Sequence, residues 1–236
     1  MISFLRSLIF NVALFGLTAI MCFLMLWVLP MPRPWMMKVV RLWLGQIEWI
    51  ERHIGGIRWQ VKGQQHLPPG PCIIAAKHQS AWETFKLHII FKDPAIVLKR
   101  ELLMIPLWGW YLKRSGVIAI DRAKGARALS SMMTPAREAA QAGRKIVIFP
   151  QGTRVKPGAF IPYKSGLAAL YQELNLPVVP MALNSGLFWG KDSFTKKPGL
   201  ITVEFLPPIP PGLPRKDMMA RVQKELEAGT EALSSP

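Results

Sequence analysis

Cysteine is almost absent from this chain: Cys22 and Cys72 are the only two in 236 residues. Two are too few for a disulfide scaffold, and they lack metal-ligand spacing, so the chain reads as a protein of a reducing compartment without a cysteine-based zinc site. Acids are also scarce. Asp and Glu number 14 against 30 Lys and Arg, a formal net charge of +16. Such an excess implies an anionic partner, whether nucleic acid, a phosphorylated metabolite or an anionic membrane. Nucleic-acid proteins often show a basic run or a charged recognition helix, and here the charges are instead scattered between apolar strands. Internal repeats, low-complexity tracts and a second domain boundary in the globular part are missing too. Half of the residues are hydrophobic and the mean hydropathy is +0.22, which excludes disorder and argues against a simple soluble domain.

What is present first is a long uncharged stretch. From Ser7 to Leu29 there are 23 residues without a charge, enough to cross about 30 Å of hydrocarbon as a helix. A cleaved signal peptide normally has a shorter apolar region and a small-residue cleavage site. This stretch ends in Trp27-Val28-Leu29-Pro30, so a retained anchor is expected. Pro30, Pro32 and Pro34 break the helix. A second apolar segment, 35–54, carries Trp35, Trp43 and Trp49 with Lys38, Arg41 and Arg52, a mixture suited to the headgroup zone. Arg33, Lys38 and Arg41 after the first segment outweigh Arg6 before it, which favours a cytoplasmic side for the rest. The expectation is a membrane-anchoring segment over 1–54, as one spanning helix or a half-buried helical hairpin, on the inner (cytoplasmic) membrane.

Beyond residue 55 short β-rich runs alternate with helix-like stretches. Strands are predicted at 57–62, 72–76, 95–98, 117–120, 145–149, 178–182 and 201–205, and helices at 81–91, 99–114, 124–142, 165–173 and 215–228. This alternation predicts an α/β domain over 55–236, with a largely parallel sheet flanked by helices. Residues 77–164 hold 16 of the bases and 5 of the acids, so most of the positive excess lies in the middle of that domain. Ligands of such sheets sit beyond the carboxyl ends of the strands, which makes the strand exits the places to search.

The first informative exit is Lys77-His78-Gln79-Ser80-Ala81-Trp82-Glu83. Ser80 and Glu83 have the spacing of a helix capping box. The same Glu83 can instead orient His78 as a general base, fixing its tautomer and steadying the imidazolium. On a continuous helix the two side chains diverge by about 140°, so the pair needs His78 on the turn before the helix. Two further exits deliver Arg122 and Arg154, whose planar forks match phosphate oxygens. The plainer alternatives are that Arg122 pairs with Asp121 or Glu101 and that Arg154 is merely exposed. Gly152 allows a tight turn or a close backbone approach. His53, His66 and His88 have no partner at useful spacing and are read as surface or interfacial. Cys22 and Cys72 look like packing residues rather than nucleophiles.

These blocks, taken in order, resemble the glycerolipid acyltransferases, and more narrowly the bacterial 1-acyl-sn-glycerol-3-phosphate acyltransferases. His78 through Glu83 resembles the family's H-x-x-x-x-D motif. Gly116–Arg122 resembles the second block, Phe149-Pro150-Gln151-Gly152-Thr153-Arg154 the F-P-E-G-T-R block, and Val178–Ala182 the fourth. Tyr163-Lys164-Ser165-Gly166 resembles the aromatic-Lys-x-Gly step that follows the third block. The similarity spans roughly 70–185, with two departures: Glu83 replaces the usual Asp, and Gln151 replaces the usual Glu, keeping hydrogen-bonding shape and losing a charge. Gln151 is therefore expected to contact the acceptor's polar head or to brace its loop.

The resemblance implies direct acyl transfer, without an acyl-enzyme, metal or cofactor. Acyl-CoA or acyl-carrier protein is the implied donor, and lysophosphatidate the implied acceptor. His78 and Glu83 are implied as catalytic. Arg122, Gln151, Gly152, Thr153, Arg154 and Lys164 are implied as substrate-binding, with Lys99 and Lys156 candidates by charge alone. An anionic membrane surface is the expected partner and nucleic acid is not. Three alternatives stay open: another lyso-lipid acceptor, a lipid thioesterase, and a non-enzymatic basic protein tethered to the membrane.

Overall fold

The computed structural model describes residues 2–121 and 126–234, the side chains of 126–128 excepted. The chain opens with two long helices, α1 (Ile2–Leu24) and α2 (Arg33–Ile50). Pro30 and Pro32 fall in the connection, and Pro34 sits at the start of α2, where its missing N–H costs no helical bond. A π-turn over Glu51–Gly55 closes α2.

Seven strands follow: β1 (Ile57–Lys62), β2 (Ile73–Ala76), β3 (Ala95–Lys99), β4 (Ile118–Ile120), β5 (Ile146–Ile148), β6 (Val178–Leu183) and β7 (Gly199–Phe205). They form one sheet in the order β1-β7-β6-β2-β5-β3-β4. β6, β2, β5, β3 and β4 run parallel. β7 pairs antiparallel with β6, and β1 runs parallel to β7. The largely parallel α/β sheet expected from sequence is therefore present, with two reversed strands at one edge.

Helices cover both faces, as strands buried on two sides require. Along β2, Ile74 and Ala76 point into the cluster that holds Phe10, Leu14, Trp43, Leu44 and Trp82 from α1, α2 and α3 (Trp82–Ile90). Ile73 and Ala75 point into the opposite cluster, with Met132, Leu167 and Val222. Those three come from α5 (Ala126–Gln141), α6 (Gly166–Leu174) and α7 (Arg215–Ser234). The two-residue period of a pleated strand sorts the side chains between the layers.

The hairpin of α1 and α2 is thus docked on the sheet, sharing its core, while its outer side is apolar and open. Val12, Phe15, Ile20, Phe23 and Leu24 of α1 are exposed, and α1 is long and apolar enough to cross a membrane.

One predicted helix is broken. Residues 99–114 form a short 3₁₀ turn (Arg100–Met104), then a sharp bend through Pro106 and Leu107, then α4 (Trp108–Arg114). Pro106 supplies no N–H to continue the first turn, and Leu107 takes a positive φ of 62°.

Candidate active site

His78 lies two residues beyond β2 and four before α3, on the turn that its pairing with Glu83 demands. Its Nδ1 is 2.9 Å from Glu83 Oε1. That oxygen also accepts the backbone N–H groups of Gln79 at 2.6 Å and Ser80 at 2.7 Å. Glu83 Oε2 accepts the Ser185 hydroxyl at 2.8 Å, and the Glu83 side chain is 1% exposed. The capping arrangement and the His–Glu pair therefore coexist in one carboxylate. With both oxygens held and the ring turned toward Oε1, the acceptor at Nδ1 selects the tautomer that leaves Nε2 basic.

The imidazole is further fixed by stacking on Phe149, with centroids 3.9 Å apart and planes 21° apart. Its backbone is held from both sides. The His78 N–H donates to Gln151 Oε1 at 3.1 Å, and its carbonyl accepts the Val155 N–H at 2.8 Å. Gln151 is buried, and through this bond it ties its own loop to the His78 turn. Its Nε2 has no hydrogen-bond partner among the described residues. β2 and β5 are neighbours, so the turn after β2 and the loop after β5 meet at one sheet edge. Gly152, at φ +72°, makes the tight reversal there that an L side chain resists.

A cavity of about 430 Å³ opens at this edge. His78, Phe149, Gly152, Thr153 and Arg154 are part of its lining. The rest of the lining is mostly apolar and includes Met21 of α1, Met25 just after it, Val40 and Trp43 of α2, and Leu102, Trp108 and Leu112. Arg154 has its guanidinium half-exposed and Asp192 at 3.8 Å. Lys99 also lines the cavity. Lys164 is exposed and outside the lining, tied to the loop only through its backbone N–H to Pro150 O at 2.7 Å. Lys156 is likewise exposed and outside it. Arg122 lies outside the described residues. Among the described residues no group of three His, Cys, Asp or Glu is placed to hold a metal.

Two features escaped sequence reasoning. Ser185, the second residue after β6, holds Glu83 from the far side. Its place at another strand exit was a usable signal. The contribution of α1 and α2 to the cavity wall carried no local signal, since the contacts join segments far apart in sequence.

His88, read from sequence as surface or interfacial, is buried in the cavity wall, and its Nδ1 has no hydrogen-bond partner among the described residues. Burial, aided by Arg144 and Arg33 and opposed by Asp93, pushes its pKa down to about 4. The unfolded chain therefore binds a proton that the folded chain refuses between about 6.5 and about 4. Stability should be full above that window and fall through it on acidification, by up to about 3 kcal/mol. Thermal unfolding across this pH range should show the loss, and His88→Phe should flatten it.

The family comparison agrees with this geometry. The model of the Acyltransferase family matches residues 58–184, which carry the His78 turn, the Gln151 loop and β6. The chain belongs to the acyltransferase family. Among relatives, it is 41% identical to the 1-acyl-sn-glycerol-3-phosphate acyltransferase of Pseudomonas aeruginosa over 165 residues, covering 70% of this chain and 64% of that protein. It is 32% identical to the human 1-acyl-sn-glycerol-3-phosphate acyltransferase alpha over 177 residues, covering 74% of this chain and 61% of that one. The matches thus span under two thirds of these relatives' length. In fold, the chain resembles the crystal structure of the 1-acyl-sn-glycerophosphate acyltransferase PlsC from Thermotoga maritima. The TM-score is 0.74 with 20% identity, over 98% of this chain and 99% of that one. That likeness extends the family's fold to the N-terminal hairpin.

Proposed function

We propose that this acyltransferase moves a fatty acyl group from an acyl thioester to the free sn-2 hydroxyl of 1-acyl-sn-glycerol 3-phosphate, forming phosphatidate. The observation that carries the reading is the His78–Glu83 pair, whose His78 lines a mostly apolar cavity. His78 Nε2 takes the hydroxyl proton as the oxygen bonds to the thioester carbonyl carbon. The tetrahedral oxyanion collapses, the C–S bond breaks, and the thiolate leaves with the proton from the imidazolium. Glu83 holds the ring and balances its transient charge. Arg154, with Gly152 and Thr153, faces the acceptor phosphate, and Arg122 and Lys164 are further candidates for it by motif. Residues 1–54 associate with the inner membrane, with 55–236 on its cytoplasmic side, since substrate and product are both lipids.

The test is acyl transfer by detergent-solubilised protein, with acyl-CoA and acyl-carrier protein as alternative donors. Phosphatidate is the expected product. Arg154→Ala should raise the KM for lysophosphatidate by about ten-fold or more, the loss of a charge-assisted phosphate contact, and leave the donor KM unchanged. Free fatty acid as the sole product would make the protein a thioesterase. Equal use of lyso-lipids lacking a phosphate monoester would overturn the acceptor assignment; Gln151, which stands where the family usually has Glu, motivates including them.

A further inference from the structure

The segment 100–114, between β3 and β4, exposes a group of large apolar side chains that no core contact explains. Met104 is 79% exposed, Trp110 53% and Ile105 44%. Their outward placement is built in. Leu107 is held at φ 62° and ψ −60°, and a Cβ on Gly109 would stand 2.1 Å from Leu103 O. A turn closed that tightly cannot fold its apolar tips inward by a small adjustment, and strain of this kind persists only where the surroundings impose it.

The opposite side of the segment is firmly packed. Trp108 meets Trp43 of α2 edge-on at 5.2 Å, and the Tyr111 hydroxyl donates to Cys22 O of α1 at 2.9 Å. Tyr111 also packs on the cluster of Val28, Met36 and Met37, where the hairpin turns. Arg114 donates to Met31 O at the same place. Leu26, Trp27, Met31 and Trp35 are exposed there, so the outward side chains of 100–114 continue the open apolar face of the hairpin.

The charge around it is predominantly positive. Between 99 and 114 stand Lys99, Arg100, Lys113 and Arg114 against the single acid Glu101. All five are exposed, and Arg100 reaches Asp121 at 3.6 Å. Exposed apolar tips, a Trp and a basic rim together match the surface of an anionic bilayer, and a patch of this kind is unusual on a protein surface without a partner.

We propose that residues 100–114 form a second lipid-docking element, which inserts Met104, Ile105 and Trp110 into an anionic membrane surface beside the α1–α2 hairpin. This rests on the reading of the hairpin as membrane-associated. Its consequence concerns the substrate path. The cavity lining includes residues of α1 and α2 and residues from the 99–117 segment. With both seated in lipid, the cavity sits level with the headgroups.

Depth measurement tests this directly. In a Cys22→Ser, Cys72→Ser background of the full chain, single cysteines are introduced as Met104→Cys, Trp110→Cys, Phe15→Cys and Lys216→Cys, and labelled with an environment-sensitive fluorophore. Phe15 lies on the open face of α1 and Lys216 on the exposed start of α7. The protein is reconstituted into phosphatidylcholine vesicles with phosphatidylglycerol and a doxyl-labelled lipid. The labels at 104 and 110 should be quenched by the lipid as the label at 15 is, and the label at 216 only by aqueous iodide. Labels at 104 and 110 that follow 216 while 15 follows the lipid overturn the docking element and leave the hairpin standing. A label at 15 that also ignores the lipid removes the hairpin reading and this inference with it. A second measurement uses native cysteines. Met104→Asp with Ile105→Asp should lower transfer to vesicle-embedded lysophosphatidate by about ten-fold and spare transfer to a water-soluble short-chain acceptor. Equal loss on both overturns the proposal.

Discussion

His78→Ala is expected to lower kcat by about 10²–10⁴-fold, the range over which a positioned general base accelerates proton transfer, with substrate KM values little changed. The substitution removes a side chain that is 16% exposed and stacks on one ring, so the fold should survive and thermal unfolding should confirm it. Glu83→Gln is the sharper partner experiment. Glu83 serves His78 Nδ1 and two backbone N–H groups through one oxygen and Ser185 through the other. An amide can keep its oxygen toward the three donors and present its NH₂ to the Ser185 hydroxyl, which can accept. The fold is thus retained while the negative charge behind the imidazolium is lost. A fall in kcat of about 10²-fold or more is expected. Glu83→Ala should instead destabilise, because it leaves the Gln79 and Ser80 N–H groups buried without acceptors, at about 1–3 kcal/mol each. A folded His78→Ala protein within ten-fold of wild-type kcat would mean that another group takes the proton.

The second large effect is on stability. Lys86 Nζ of α3 lies 2.6 Å from Glu51 Oε2 in the π-turn after α2, and both side chains are 1% exposed. The ammonium lies 5.2 Å from the Trp59 ring centroid and 5.6 Å from that of Trp82, and Trp82 Nε1 donates to Glu51 Oε2 at 3.3 Å. Burial pushes the Glu51 carboxyl pKa up and Lys86 pulls it back. Removing one partner strands the other charge in the core. Lys86→Met should therefore cost about 3–5 kcal/mol, whereas Lys86→Met with Glu51→Leu should recover much of the loss. Calorimetry of the detergent-solubilised variants measures this as non-additivity in a double-mutant cycle. Additive losses would show that the two charges do not depend on each other. The pair joins the hairpin to the helix whose first turn carries Glu83, so Lys86→Met should also lower kcat at temperatures where the protein remains folded.

All seven strands were legible because the inner strands read as short apolar runs between turn residues and β1 alternates apolar with polar residues. Five of the seven predicted ranges match the observed ones or differ by one residue at one end; the range 145–149 is one residue too long at each end, and 201–205 starts two residues late. The helix over 99–114 was misread because its apolar periodicity does not reveal the strained bend at Leu107, which Gly109 closes against Leu103 O. His88 was read as surface or interfacial because, of the Arg33, Asp93 and Arg144 cluster that gathers around it, only Asp93 is near in sequence, and the two arginines that complete it come from distant segments.

The sequence by itself determined the alternation of strands and helices, the two proline-bounded N-terminal segments and the placing of His78 and Glu83 at a strand exit. Each of these is local, written in periodicity, breakers and spacing within about a dozen residues. Only the tertiary structure decided the reversed edge pair β1 and β7, the burial of the Lys86–Glu51 pair, the hold of Ser185 on Glu83, and the cavity walled by α1 and α2. Those features depend on contacts between segments distant in the chain, such as Ser185 with Glu83, 102 residues apart. They are selected by packing and by the need to satisfy every buried polar group, and neither constraint acts until the chain has folded.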